Sequence, residues 1–120
     1  MDGGGPLDKP KHFLPEETEG LDLRLVSMLD QAREKAGVPF VISSGHRTEA
    51  QNADAGGVKD SAHVRGLAVD LQCLTSGQRF RMVRGLLLAG FRRVGIYNRH
   101  LHADVDDRLP PDVMWTGESH

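Results

Sequence analysis

The sequence predicts an α+β domain in which a small, mainly antiparallel sheet is flanked by helices. Apolar residues recur at helical spacing in two segments, and four short segments have the composition or alternation of strands. The predicted order is helix, strand, strand, helix and hairpin, which favours antiparallel pairing over repeated βαβ units. A chain of 120 residues fits one such domain.

The first part of the chain is predicted to contain an arm, a helix and a strand. Residues 1–10 include three glycines and two prolines and are expected to form a flexible arm, which leaves residues 11–120 for the folded domain. A helix is predicted from Leu21, because apolar residues recur at spacings of three and four until Gly37 supplies a stop signal. A buried strand is predicted at residues 40–43, and its end delivers to a loop Ser44, Gly45, His46 and Arg47.

The middle of the chain is predicted to form a loop and then a strand. Residues 48–61 allow one helical turn at most, because Gly56 and Gly57 break a helix, so a surface loop is expected. Residues 67–73 alternate between apolar and polar side chains, as is typical of a strand. This strand contains Asp70, and an ionised carboxylate inside a small domain requires a partner.

The last part of the chain is predicted to contain a second helix and a hairpin. The helix is capped by Thr75 or Ser76 and is apolar on one face until a glycine ends it. Two strands follow at residues 93–97 and 100–105, joined by a tight turn. Beyond them Trp115 is expected to pack against the core, with a position at the edge of a cleft as the alternative.

Composition and charge exclude several classes of function. The formal charge of −2 provides no basic surface for nucleic acid. Cys73 is the single cysteine, so neither an internal disulfide nor a cysteine-rich zinc site can form. The first residues lack a basic segment followed by an apolar one, and no apolar run approaches about 18 residues. We expect cytoplasmic synthesis without a signal peptide, no nucleic-acid or membrane partner, and a monomer.

The segment HLHAD and the segment before Asp70 together predict a metal site. Side chains two apart on a strand share a face, so His100, His102 and Asp104 are expected to project together. Asp70 on a separate strand and His63 at its approach complete a candidate cluster. Two histidines and one carboxylate form a ligand set for catalytic zinc, which keeps one position open for water. A glycine between His63 and Asp70 lets the chain turn sharply toward the ion.

These residues resemble a known family. SAHVRGLAVD at residues 61–70 and the later HLHAD resemble the zinc D-alanyl-D-alanine carboxypeptidases, whose motif is Ser-x-His, a Gly-x-Ala-x-Asp run and a distant histidine. This family of LAS metallopeptidases shares its fold with the hedgehog signalling domain and the lysostaphin-type endopeptidases. KHFLPEE, SGHRTEAQN and FRRVGIYNRHLHADVD also agree, so the resemblance spans residues 11–106.

The resemblance implies a set of site residues. One zinc ion would be held by His63, Asp70 and His102. Arg47, within SGHRT, would bind a substrate carboxylate or steady the oxyanion, and its permanently charged, forked donor suits either role. A plain surface salt bridge is the alternative for Arg47.

The identity of the general base departs from the family pattern. Relatives that carry an acidic residue three positions before the final histidine use it as the base, but this sequence has Arg99 there. His100 is the first candidate for that role and Asp104 the second, although Asp104 can instead orient a ligand histidine. His46, where many relatives have tyrosine, and Ser61 are expected to contact substrate. Ser61 is interpreted as a local hydrogen-bonding residue and not as a nucleophile.

The leading functional hypothesis is a zinc peptidase that hydrolyses a bond in the peptidoglycan stem peptide. Two activities compete: removal of a terminal D-alanine, and cleavage between L-alanine and D-glutamate as in phage endolysins. A short chain without a wall-binding repeat suits a phage or prophage product, either released by a holin or carried on a particle. The rival hypothesis is a zinc-holding structural or interaction module without catalysis, as in hedgehog, and Arg99 supports it.

Overall fold

The computed structural model describes residues 9–118, and in this part of the chain three α-helices and five strands form an α+β fold. The predicted fold class is therefore confirmed. The elements in chain order are a 3-10 helix at Pro15–Glu17, α1 at Leu23–Ala36, β1 at Ile42–Ser44, α2 at Glu49–Asp54, β2 at Ala68–Gln72, α3 at Ser76–Leu88, β3 at Arg93–Ile96, β4 at His100–Asp104 and β5 at Val113–Thr116.

The five strands form one mixed sheet in the order β1-β2-β4-β3-β5. The pairs β1–β2, β2–β4 and β3–β4 are antiparallel, which includes the predicted hairpin, whereas β5 pairs in parallel with β3. The sheet is thus mixed, and β5 was not among the predicted strands. Val113 and Met114 are both exposed, so β5 lacks the apolar alternation by which a strand is predicted.

Local capping explains where the helices begin and end. α1 starts two residues after Leu21, because the Asp22 side chain accepts hydrogen bonds from the first backbone amides of the helix. Gly37 ends it in the left-handed conformation, with φ of 72°. Thr75 caps α3, which resolves the choice between Thr75 and Ser76. The predicted single turn after Thr48 extends to the six residues of α2, and the loop follows from Ala55.

The hydrophobic core lies between one face of the sheet and the helices α1 and α3. Alternate strand residues point into it and are fully buried, namely Val69, Leu71, Leu101 and Ala103. Phe40 also joins this core although it precedes β1, so the predicted strand at residues 40–43 is shifted to Ile42–Ser44. α1 and α3 approach closely at Gly85, where an added Cβ would lie 2.5 Å from the carbonyl oxygen of Ala32.

The opposite face of the sheet carries a row of five residues, one from each strand. They are directly opposed from strand to strand, in the order Ser44, Asp70, His102, Gly95 and Trp115. We call these residues the cross-sheet row. Because side chains alternate along a strand, burial of the core residues on either side directs this row away from the core.

Two further predictions concern the N-terminal arm and membrane-spanning helices. Residues 1–8 of the predicted N-terminal arm lie outside the described residues, and residues 9 and 10 are in neither a helix nor a strand. Within residues 9–118, no helix combines the length and apolar character that crossing a bilayer requires.

Candidate metal centre

The strand register and one tight turn bring His63, Asp70 and His102 together. Asp70 and His102 are direct partners in the β2–β4 pair, so their side chains share a face. His63 lies in the turn that precedes β2. Gly66 has φ of 73° there, and a Cβ at this position would collide with the carbonyl oxygen of Gly20. The sharp turn predicted between His63 and Asp70 is therefore present, and it requires glycine.

The donor atoms of these three residues converge on a small volume. His63 Nε2 lies 3.3 Å from Asp70 Oδ1, and His102 Nδ1 lies 3.2 Å from the same oxygen. One ligand atom from each residue lies within 4.8 Å of the others. His63 is buried, and Asp70 and His102 are partly buried. We call the partly shielded volume around these donors the recess.

The second nitrogen of each histidine is held by a protein acceptor. His63 Nδ1 lies 2.8 Å from the carbonyl oxygen of Gly45, which can only accept, so Nδ1 carries the proton and Nε2 faces Asp70. His102 Nε2 lies 2.7 Å from Asp104 Oδ2, which leaves Nδ1 toward Asp70. Acceptors of this kind fix the ring orientation and tautomer of metal-ligating histidines.

The electrostatics of the cluster couple Asp70 to His102. Burial raises the pKa of Asp70, but hydrogen bonds from His102 and His63 outweigh it and hold the pKa well below its ordinary value. Burial lowers the pKa of His102, but hydrogen bonds to Asp104 and Asp70 outweigh it and raise the pKa to about 9. The site thus favours positive charge between the two carboxylates.

Asp104 is buried behind His102 and uses both oxygens. Oδ2 accepts from His102, while Oδ1 accepts from Arg93 Nε at 2.8 Å and from the backbone amide of Asp106 at 3.2 Å. Its side chain is 1% exposed. Both Asp104 oxygens are therefore engaged by protein donors, an arrangement that suits an acceptor holding the His102 ring.

Arg47 reaches the cluster from the loop between β1 and α2. Its guanidinium donates to Ser44 Oγ at 3.0 Å, to Asn52 Oδ1 at 3.2 Å and to Asp70 Oδ2 at 3.4 Å. Ser61 Oγ also donates to Asn52 Oδ1, at 3.0 Å. These bonds hold the guanidinium beside the donor group, and Ser61 contributes as the local hydrogen-bonding residue that the sequence predicted.

Asn52 was not recognised as a site residue from the sequence. Its side chain is 1% exposed, accepts from Arg47 and Ser61, and donates to the carbonyl oxygen of Val58 at 2.6 Å. The absence of a side chain at Gly57 leaves room for it, because a Cβ there would overlap the Asn52 amide. The only sequence signal was an amide in the polar segment TEAQN, and the sequence does not show which residue of that segment is buried.

Aromatic rings flank the cluster on the side away from Arg47. The Tyr97 ring stacks on His100, with centroids 4.4 Å apart and planes 6° apart. Trp115 Nε1 donates to Tyr97 Oη at 2.9 Å, and the Trp115 ring lies 5.5 Å from that of His102. Burial lowers the pKa of His100. Trp115 is only partly buried and lies beside His102, which agrees with the alternative expectation for it and not with core packing. Tyr97 was not predicted at the site.

The remaining predicted residue, His46, lies on the exposed side of the loop before Arg47. A Cβ on Gly20 would lie 2.8 Å from His46 Cγ, so the imidazole packs on that turn. A groove of about 410 Å³ opens beside His63 and His102. The groove is lined by residues of both charges, including Lys59, Asp60 and Arg108. The groove is large enough for a few residues of an extended peptide.

Comparison with known proteins identifies one family. Residues 11–106 match the family model described as Peptidase M15. No curated protein matches the chain. The matched segment contains the converging donors and Arg47, and it ends before β5.

Proposed function

The chain belongs to the Peptidase M15 family of zinc-dependent metallopeptidases, and on this premise we propose that it hydrolyses a peptide bond in the peptidoglycan stem peptide. The observation that carries the proposal is the convergence of His63, Asp70 and His102 within 4.8 Å. Two imidazoles and one carboxylate form a catalytic zinc set with an open position.

The chemistry of the donors fits zinc. Each histidine presents one nitrogen to the recess and gives the other to an acceptor, Gly45 O for His63 and Asp104 for His102. A zinc ion bound there supplies Lewis-acid catalysis, which activates water and polarises the scissile carbonyl. The residues around it bind the substrate, orient it and move protons.

Arg47 is proposed to bind negative charge on the substrate. Its guanidinium stays charged at any relevant pH, and Asn52 and Ser44 fix the plane of the fork. A preorganised cation beside the scissile carbonyl stabilises the oxyanion that develops there, and the same group can hold a terminal carboxylate. We assign substrate contact also to His46, which precedes Arg47, and to Ser61, which lines the groove and donates to the same Asn52 oxygen as Arg47.

His100 is proposed to carry the proton from water to the leaving amine. It is two residues from His102 on β4 and therefore on the same face of the sheet, and Tyr97 holds its ring by stacking. Asp104 is the weaker candidate, since both of its oxygens are engaged. We therefore assign Asp104 the orientation of His102.

Two bonds in the stem peptide remain as candidates. The motif resemblance favours removal of the terminal D-alanine, in which Arg47 would hold the free carboxylate. Cleavage between L-alanine and D-glutamate is the second candidate, in which Arg47 would serve the oxyanion alone. The two reactions give products of different mass, so one measurement separates them.

The decisive experiment is mass spectrometry of defined muropeptides incubated with the zinc-loaded protein, beside His63→Ala. Loss of one alanine from a pentapeptide stem supports the carboxypeptidase, and release of the stem below L-alanine supports the endopeptidase. Both activities should vanish in His63→Ala. Absence of either product from wild-type protein that holds zinc would instead favour the non-catalytic module.

A second variant separates catalysis from zinc retention. We expect His100→Ala to lower turnover about 10²- to 10⁴-fold, as for loss of a general base, while zinc content stays at the wild-type level. Unchanged turnover would remove His100 from the mechanism. His12→Ala is the matched control, since His12 pairs with Glu34 at 2.8 Å and not with the donor group.

A further inference from the structure

The C-terminal strand β5 supplies an aromatic side chain to the site from outside the matched family segment. The match ends at residue 106, whereas β5 spans Val113–Thr116. Trp115 pairs with Gly95 in the parallel β3–β5 ladder and so ends the cross-sheet row. Its indole ring lies 5.5 Å from the His102 ring.

Two glycines allow the aromatic rings to lie against the backbone. A Cβ on Gly95 would be 2.6 Å from Trp115 Cε2, and a Cβ on Gly117 would be 2.6 Å from Tyr97 Cε1. Any larger residue at either position would push a ring away. The missing side chain at Gly95 lets the indole extend across β3 as far as His102.

Polar contacts fix the direction of the indole. Trp115 Nε1 donates to Tyr97 Oη at 2.9 Å, and the Arg93 guanidinium lies 5.1 Å from the Trp115 ring. Arg93 also holds Asp104, the acceptor for His102. The ring is therefore tied to the same network that orients the metal-ligand candidate, which a ring that merely covers surface would not need.

The two ends of the recess differ in chemistry. Arg47 approaches Asp70 from the β1 side and provides positive charge. Trp115 on β5 lies beside His102, and Tyr97, just after β3, stacks on His100; both rings are partly exposed. A peptide lying across the donors would meet a cation at one end and an apolar wall at the other.

We propose that Trp115, beside His102, and Tyr97, which accepts the indole N–H, form an aromatic wall next to the donors that contacts the small apolar side chain of the substrate residue next to the scissile bond. This inference rests on the proposed function and deepens it. A methyl group gains contact area and loses water against an aromatic face, whereas a charged side chain would be desolvated there. Trp115 and Tyr97 thereby select alanine-like residues at this position.

The chain provides its own reporter for this contact, because Trp115 is its single tryptophan. We would mix zinc-loaded protein with a stem pentapeptide in a stopped-flow instrument and record tryptophan emission and product together. The expected result is a saturable change in emission that precedes product. Cleavage without any change in tryptophan emission would contradict the proposed contact between substrate and Trp115.

Kinetics of variants provide an independent measurement. Trp115→Ala should raise KM by about tenfold or more, with kcat changed far less and zinc content unchanged. Val113→Ala, an exposed position on the same strand, is the matched control and should leave KM unchanged. An unchanged KM in Trp115→Ala would also overturn the wall. If that variant fails to fold, the emission measurement on wild-type protein decides.

The outcomes distinguish this inference from the proposed function. A saturable emission change without cleavage would contradict the peptidase while supporting the wall as a peptide-binding surface. Cleavage without a change in emission would support the peptidase and contradict the aromatic wall. Neither emission change nor cleavage would reject both. Replacing the alanine next to the scissile bond by glutamate should abolish the emission change if the wall selects small apolar side chains.

Discussion

Asp70 and His102 face each other directly across the β2–β4 pair, with 3.2 Å between Oδ1 and Nδ1. The carboxylate is also 3.3 Å from His63, so one oxygen serves two imidazoles. Register alone aligns Asp70 with His102, whereas His63 depends on the turn at Gly66. Strand register and the turn thus place the three donor residues close together, so only small side-chain movements are needed for their donor atoms to converge.

Loss of a donor histidine should remove the metal. We expect one zinc ion per wild-type chain, and little or none in His63→Ala or His102→Ala. Because the metal binds only the folded state, its loss should also lower Tm, by an amount equivalent to about 4 kcal/mol at free zinc a thousandfold above Kd. Elemental analysis and thermal melts with and without chelator measure this. Full occupancy in the double variant would exclude the assignment.

Asp104→Asn should weaken zinc binding. Asparagine keeps the shape but replaces an anionic acceptor for His102, and loss of such an outer acceptor typically costs 10- to 100-fold in metal affinity. Competition against a chromophoric chelator measures the affinity. Asp107→Asn, at an exposed neighbouring position, is the control. Normal affinity with greatly reduced turnover would make Asp104 the base instead.

Arg47→Lys tests whether the forked guanidinium matters. Lysine retains the charge but carries all its donors on one nitrogen, whereas Arg47 donates to Ser44, Asn52 and Asp70 from three separate nitrogens. We expect a fall in kcat of about 10²- to 10³-fold, as for removal of an oxyanion donor, with zinc retained. Arg65→Lys, in an exposed pair with Asp60, should change little. Wild-type turnover in Arg47→Lys would reduce Arg47 to an ion-pair partner of Asp70.

Gly85→Ala should destabilise the domain although alanine favours helices. The added Cβ would lie 2.5 Å from Ala32 O and 2.8 Å from Ala36 Cβ, which forces α1 and α3 apart. We expect a loss of about 1 to 3 kcal/mol in urea unfolding, as for overpacking. Gly77→Ala on the same helix meets only Arg81 at 3.8 Å and should be neutral or slightly stabilising. Equal effects of the two variants would contradict close packing at Gly85.

Acid should weaken the fold partly through Asp106. Hydrogen bonds from Arg108 hold the pKa of this buried carboxyl below its ordinary 3.8. A lowered pKa stabilises the folded state above the ordinary value and loses that contribution as the pH falls through the folded value. Asp106→Asn should therefore cost about 1 kcal/mol at pH 7, allowing for the partly exposed Arg108, and nothing at the acid limit.

Chemical unfolding of wild type and Asp106→Asn between pH 2 and pH 7, as a rough range around the ordinary carboxyl pKa, measures this difference. Asp112→Asn is the exposed comparison. Its hydrogen bond with Arg92 also lowers the pKa of Asp112, but solvent screens this exposed pair, so the substitution should change stability little at any pH, and asparagine tolerates the positive φ of 61°. A difference between wild type and Asp106→Asn that stays constant with pH would show that the carboxylate charge is not involved.

Local signals predicted most of the fold and a cluster of five polar residues, from which the family resemblance selected His63, Asp70 and His102. Gly37 and Thr75 mark helix ends through hydrogen bonds with nearby residues, so the sequence pattern contains them. Asp22 acts in the same local way but was not recognised, and the first helix was predicted to begin at Leu21. Ligand spacing around Asp70 and in HLHAD likewise depends on strand periodicity. β5 could not be predicted, because parallel pairing with β3 depends on a partner distant in sequence and exposed residues hide the strand period.

The same limit applies to the surroundings of the donors. Asn52 supports Arg47 only because a loop folds over α2 and buries its amide. Trp115 reaches His102 only because Gly95 has no side chain on β3 to block the indole ring. Both contacts depend on how helices, strands and loops pack in three dimensions. Residue type and sequence spacing do not predict that packing.

The edge position of β5 divides the recess between two parts of the chain. β2 and β4 lie inside the sheet and hold their register through neighbours on both sides, whereas β5 is bounded by β3 on one side and ends the sheet. Residues on an outer strand can be exchanged with little effect on the pairing of inner ones. Substitutions on β5 can therefore change the aromatic side of the recess while β2 and β4 keep Asp70 and His102 in place. The same sheet could accept a redesigned C-terminal strand in place of β5.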